Sequence, residues 1–158
     1  MIKAAILTVS DSCAGGKRED ESGQAIEESL AGCGFEVCER RIAADDAEAV
    51  VNDLKFLCDK AAVEVVLTTG GTGLGSRDVT PEATSSVCER MVPGLSEMIR
   101  AEGLKKTRNA VLSRGVAGIR NKTLIVNLPG SPKGAKESLE IILDVLPHAV
   151  EMMLGGGH

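Results

Sequence analysis

The chain has no tryptophan, no tyrosine and only two phenylalanines among its 158 residues. A row of rings on which nucleobases could stack is therefore excluded, and any bound nucleotide must be held mainly by its phosphates. Histidine is equally scarce. His148 and His158 are the only two, too few and too far apart to suggest a zinc site, and no histidine is available mid-chain for a Ser/His/Asp set. Five cysteines, at 13, 33, 38, 58 and 88, form no CxxC pair and are an odd number. That usage predicts reduced, mostly buried thiols in a reducing cytosol, with Cys13 the exception because it sits in a polar loop. No basic run exceeds two residues and the net charge is −5, which argues against a nucleic-acid backbone as partner. No apolar run approaches about 18 residues, and Met1-Ile2-Lys3 leads into a strand pattern rather than a signal peptide. The expectation is a cytoplasmic protein with no membrane partner.

What is present describes an ordinary globular chain, 43% hydrophobic and 26% charged, long enough for one aliphatic core and read as a single domain over 1–158. Ala4 to Val9 is a short apolar run that Ser10-Asp11-Ser12 ends, the pattern of a central strand feeding a polar loop. Ile26, Leu30 and Cys33 mark one face of a helix, and Phe35 to Ile42, with several charges, suits an edge strand. Ala47, Val50, Val51, Leu54, Leu57 and Cys58 form the stripe of a second helix. Ala110 to Ile119 and Thr123 to Leu128 read as an antiparallel hairpin, because three residues between them leave no room for a crossover. Helical segments are expected around Val87–Met91 and Leu95–Ile99. A last long helix, capped by Ser131 with Pro132 at its first position, should kink or split at Pro147. The fold class is α/β, a three-layer α/β/α sandwich whose sheet is mostly parallel with an antiparallel hairpin strand in the C-terminal half.

Segment 67–82 organises the rest: Leu-Thr-Thr-Gly-Gly-Thr-Gly-Leu-Gly-Ser-Arg-Asp-Val-Thr-Pro-Glu. It leaves a β-branched strand and enters a helix expected to start with Thr80 as N-cap and Pro81 at N1. Glycines at 70, 71, 73 and 75 allow positive φ and free amide N–H groups to face anionic oxygens. Arg77 could pair with phosphate, and Asp78 could hold a Mg²⁺ whose other ligands are phosphate oxygens. A second glycine loop, Asn127 to Gly134, also leads into a helix start. Neither loop is a Walker or dinucleotide fingerprint. Asp45, with Glu48 three residues on, fits a capping box, and the residues alone favour that role. Carboxylates beside phosphate cradles suit Mg²⁺-assisted phosphoryl or nucleotidyl transfer.

Thr-Gly-Gly-Thr-Gly at 69–73 followed by Arg-Asp-Val-Thr-Pro-Glu at 77–82 resembles the signature of the molybdopterin-binding family of molybdenum cofactor biosynthesis, which contains the MogA and MoaB proteins and the gephyrin G domain. Ser10-Asp11, Ala44-Asp45-Asp46, Leu112 to Gly118 and Leu128 to Lys133 extend the likeness in the same order. The resemblance implies a molybdopterin adenylyltransferase that uses ATP and Mg²⁺ and releases pyrophosphate, or alternatively a non-catalytic molybdopterin-binding carrier of the same fold. It implies a homotrimer, with other molybdenum cofactor biosynthesis proteins as further partners. It makes Asp45 and Asp78 the catalytic and metal-holding pair, reversing the capping reading of Asp45, although Ala44 stands where the family often has proline and Asp46 competes for the role. Ser10, Gly70, Gly71, Thr72 and Gly73 should bind substrate, with Ser113, Arg114, Gly130, Ser131 and Pro132 lining the pterin side.

Overall fold

A computed structural model describes residues 1–156. Six strands form one sheet in the order β2-β1-β3-β6-β5-β4. They are β1 (Ile2–Val9), β2 (Phe35–Ala43), β3 (Val65–Thr69), β4 (Arg90–Met91), β5 (Ala117–Arg120) and β6 (Thr123–Leu128). β2, β1, β3 and β6 are parallel, and β5 and β4 continue the sheet antiparallel. The mixed α/β sheet expected from the sequence is thus present, with charged β2 at one edge.

A one-turn helix, α1 (Asp11–Ala14), follows β1, and strand side chains alternate between faces. Ala4 and Ile6 of β1 join Val65 and Leu67 of β3 on one side, where α2 (Glu21–Leu30), α5 (Pro93–Gly103), α6 (Pro132–Ile142) and α7 (Leu146–Met153) supply Ile26, Leu30, Ile99, Leu139, Ile142 and Val150. Ala5, Leu7 and Val9 face the other side with Val66 and Ile125, covered by Val50 and Leu54 of α3 (Ala47–Lys55) and Ala83 and Val87 of α4 (Thr80–Val87). Both faces of the central strands are buried, which is why they read as unbroken apolar runs. Pro147 does split the last helix, standing in the first turn of α7.

Four local expectations change. The run from Ala110 is not one strand: Arg108–Leu112 is a 3-10 turn, and only Ala117–Arg120 pairs with β6. The residues between turn toward the glycine loop, where the Arg114 amide donates to Thr72 O at 2.9 Å. Helix α4 stops at Val87, and Arg90–Met91 forms an edge strand instead of continuing it. Thr80 is not the cap of α4. The helix begins at Thr80 itself, whose buried hydroxyl donates to Gly70 O at 2.9 Å. The thiols are also less buried than their number suggested. Cys58 alone is fully buried, Cys33 lies beyond the end of α2 and is exposed, Cys38 is exposed, and Cys13 and Cys88 are intermediate. Burial pushes the Cys58 thiol up to about 12 and Cys88 up to about 11, so both stay protonated and unreactive.

Candidate active site

From β1 the chain crosses to β2 in one direction and to β3 in the other, so the C-terminal ends of β1 and β3 form the switch point at which open α/β sheets leave a crevice. A cavity of about 210 Å³ opens there. Its wall includes Ser10 after β1, Asp45 after β2, Gly70, Gly71 and Asp78 after β3, and Gly130 and Pro132 after β6. The loops are held down locally. Thr69 Oγ1 donates to Pro129 O at 2.6 Å, Ser22 Oγ donates to Gly130 O, and Gly70 N donates to Leu128 O at 3.2 Å.

Two glycines are required by space as well as by φ. Gly70 sits at φ +99° and Gly71 at +70°. A Cβ on Gly70 would lie 2.2 Å from Val9 O, and one on Gly71 would lie 2.2 Å from Thr80 Oγ1 and 3.4 Å from Asp45 Oδ1. The added atom at 71 would thus enter the space before Asp45. On the other flank, Asp78 Oδ2 accepts from Gly75 N at 2.9 Å and lies 2.9 Å from the Cβ position of Gly73. The two carboxylates bracket a strip of bare backbone.

The structure separates Asp45 from its neighbour. Asp46 caps α3 by accepting from Ala49 N at 3.0 Å, while Asp45 Oδ2 accepts from Asp11 N at 2.9 Å and Asp11 Oδ1 accepts from Asp45 N at 2.9 Å. Asp11 also receives Arg77, at 2.7 Å from Nε and 3.0 Å from Nη2, so the cation expected to face phosphate rests on a carboxylate. Burial pushes the Asp45 carboxyl above its ordinary range, and the negative charges of Asp11 and Asp78 push it further, against the Asp11 amide bond that lowers it. Arg77 holds Asp11 below that range.

Glu19, Asp20, Glu21, Asp45 and Asp78 line the cavity with Arg18 as the cation. Asp20 is spoken for, accepting from Thr8 Oγ1, Gly23 N and Arg40. An acidic wall repels a bare polyphosphate and admits one that carries a divalent cation. Among the described residues no group of three or more His, Cys, Asp or Glu is arranged to hold a metal ion. Asp45 and Asp78 do offer two carboxylates on one cavity, the donor set with which Mg²⁺ is ordinarily held when phosphate oxygens and water complete its shell.

A second cavity of about 460 Å³ is mostly apolar and shares both glycine loops, taking Thr72, Gly73, Ser113 and Ser131 together with Ile99, Leu112 and Ile141. Ser131 caps α6 as expected, accepting from Gly134 N at 3.0 Å. The expected site residues therefore divide: Ser10, Asp45, Gly70, Gly71, Asp78, Gly130 and Pro132 face the acidic cavity, and Thr72, Gly73, Ser113 and Ser131 the apolar one. Arg114 lines neither. Its guanidinium donates to Gly73 O at 2.8 Å, to Asp78 O at 2.7 Å and to Glu82 at 2.6 and 3.3 Å.

Three further residues belong to this architecture. Asp11 ties two loops together, and Glu82 receives Arg114. Asn127 lies buried in β6, donating to Thr68 Oγ1 and Thr84 Oγ1 at 3.0 Å each and accepting from Val116 N at 3.1 Å. Asp11 and Glu82 stood in stretches that carry the family resemblance without a role of their own, and Asn127 had a signal as an amide inside an apolar strand, since a buried amide needs partners.

Residues 5–148 match a family described as a probable molybdopterin binding domain. The chain is 44% identical over 156 residues to a molybdopterin adenylyltransferase of Helicobacter pylori, covering 98% of this chain and 89% of that protein. It is 40% identical over 146 residues to the molybdopterin adenylyltransferase of Escherichia coli, covering 90% and 74%. Among solved structures, the molybdopterin biosynthesis enzyme MoaB of Thermus thermophilus superposes with a TM-score of 0.93 at 51% identity, covering 98% of each chain.

Proposed function

The chain belongs to the molybdopterin-binding domain family of molybdenum cofactor biosynthesis, and on that premise we propose that it is a molybdopterin adenylyltransferase, a nucleotidyltransferase that joins AMP from ATP to molybdopterin. An oxygen of the pterin's terminal phosphate attacks the α-phosphorus of ATP. The bond from that phosphorus to the bridging oxygen breaks, pyrophosphate leaves with the electron pair, and a new phosphoanhydride remains. The observation that carries this reading is the bracketing of the bare Gly71–Gly73 backbone by Asp45 and Asp78 at an acidic cavity beside an apolar one. Polyphosphate suits the first cavity, and the pterin suits the second.

Asp45 and Asp78 are the residues we assign to hold Mg²⁺, which when bound neutralises charge on the triphosphate and on the departing pyrophosphate. Ser10, Gly70 and Gly71, with Gly130 and Pro132, bound the phosphate channel. Thr72, Gly73, Ser113 and Ser131 bound the pterin side. Because such catalysis is mostly positioning and charge neutralisation, no histidine base is required. We further infer that residues 1–158 act as a single cytoplasmic domain assembling as a homotrimer. Leu74, Val111 and Leu112, exposed apolar side chains near the site, offer surface for contact between copies.

Incubating the purified protein with molybdopterin, ATP and Mg²⁺ should yield adenylated molybdopterin and pyrophosphate in equal amounts. Tight molybdopterin binding without pyrophosphate would identify a carrier and refute the enzyme. Light scattering of the same sample should give three times the monomer mass.

A further inference from the structure

The segment from Gly73 to Val79 carries Asp78 into the cavity, yet none of its residues is buried and Leu74 at its tip is 67% exposed. Packing cannot fix a segment like that. Besides the turn bond from Asp78 N to Gly75 O and the Arg77–Asp11 pair, the carbonyls at its two ends are held by one residue from a distant part of the chain. Arg114 takes Thr72 O with its own amide at 2.9 Å, Gly73 O with Nε at 2.8 Å and Asp78 O with Nη2 at 2.7 Å, so that one planar fork spans both ends of the loop. The remaining edge of the fork meets Glu82 of α4, Nη1 to Oε2 at 2.6 Å and Nη2 to Oε1 at 3.3 Å. The segment bearing Arg114 is itself anchored, because Arg100 of α5 donates to Ser113 O at 3.3 Å and Gly115 O at 2.9 Å.

We propose that Arg114 and Glu82 are a positioning pair that sets the angle at which Asp78 meets a metal-bound triphosphate, and that Arg114 does so through the loop backbone without touching the pterin. The proposal rests on the adenylyltransferase reading for the identity of the ligand. Four of the five guanidinium N–H donors are already directed at the loop and at Glu82. Glu82 serves two purposes. It fixes the plane of the fork, and its negative charge in the first turn of α4 offsets the presence of a cation near the positive end of that helix. Each partner favours the other's ionised state, Glu82 being held below the usual carboxylate range and Arg114 above its own ordinary value. Lysine cannot replace this residue, since a single ammonium cannot span two carbonyls and a carboxylate in one plane.

The test is equilibrium binding of ATP to the intact protein, with and without Mg²⁺, for Arg114→Lys, Glu82→Gln and the double variant, beside molybdopterin binding by the same proteins. Melting temperature serves as the check on folding. Removing partners that orient a metal-holding group typically costs about 10–100-fold in affinity. Arg114→Lys should therefore weaken Mg²⁺-dependent ATP binding by about tenfold or more, and Glu82→Gln should weaken it in the same sense. The double variant should be no worse than the worse single one, because both act on one element. Molybdopterin affinity should fall by much less than Mg²⁺-dependent ATP affinity, and to the same small extent in both single variants, since the pair reaches the pterin cavity only through the backbone of Gly73. Loss of molybdopterin affinity in Arg114→Lys alone, with Glu82→Gln unchanged, would overturn the proposal in favour of direct pterin contact. ATP binding indifferent to all three substitutions would overturn it as well. A wild-type protein that shows the coupled ATP defect in its variants, yet never adenylates molybdopterin, would refute the enzymatic reading while supporting the positioning pair.

Discussion

Replacing Gly71 by alanine tests the geometry of the site most directly. At φ +70° an alanine is forced into the left-handed region, which costs about 1–2 kcal/mol. Its Cβ also falls 2.2 Å from Thr80 Oγ1, so the threonine must rotate away or the loop must shift. Overpacking of that kind adds about 1–3 kcal/mol. The sum, about 3.5 kcal/mol at its centre, should lower the melting temperature of a domain this size by roughly 7–14 °C. The obstacle is a side chain, so it can be removed. Thr80→Ala deletes the clashing hydroxyl at the cost of its bond to Gly70 O, and the double variant should be more stable than the sum of the single losses by about 1–3 kcal/mol. Thr80→Ser keeps the oxygen and should rescue nothing. Gly70→Ala offers no such relief, because its Cβ meets the backbone oxygen of Val9 in the central strand. Chemical denaturation of the four Gly71/Thr80 proteins gives the cycle. Strictly additive losses would mean that the methyl finds room elsewhere, and the tight seat of Gly71 beside Thr80 and Asp45 would be wrong.

Asp78→Asn keeps an oxygen for the Gly75 amide and should leave the melting temperature nearly unchanged while removing most adenylation; full turnover in a pyrophosphate-release assay would refute its role. Asp45→Asn should also abolish turnover, yet it should raise the melting temperature at neutral pH, because burial and the charges of Asp11 and Asp78 make ionised Asp45 costly to the fold. The folded carboxyl lies above its ordinary value of 3.8, so the ionisation cost is absent below that pH and complete above the folded value. The thermal advantage of the asparagine variant should accordingly vanish on acidification through that window. Asp46→Ala removes the cap of α3 and should cost about 1 kcal/mol, seen as a drop in melting temperature, with turnover retained. The reverse pattern, with Asp46 essential and Asp45 dispensable, would exchange the roles assigned to them.

The layered fold was legible because both faces of the central strands are covered, leaving runs such as Ala4 to Leu7 and Val65 to Leu67 apolar throughout. The glycine loop was legible for a different reason: positive φ at 70 and 71 leaves few residues other than glycine. Harder to read were segments whose conformation is decided by partners far along the chain. The residues from Ala110 to Val116 have the composition of a strand, but the Arg114 guanidinium finds two carbonyl partners in the loop and a carboxylate on α4, and the backbone follows it there. Thr80 had the look of a cap, and a carbonyl ten residues earlier claimed its hydroxyl. Adjacent aspartates at 45 and 46 are indistinguishable in a string of letters. They separate only because one faces Ala49 and the other faces Asp11, 34 residues back.

The partition between the acidic and apolar chambers is made of peptide, contributed in alternation by two turns: 70 and 71 face one room and 72 and 73 the other, as 130 and 132 oppose 129 and 131. Side chains that furnish one room are thus largely absent from the next. Descent with modification can redecorate the greasy chamber for a differently shaped guest while the charged pocket across the wall stays as it was.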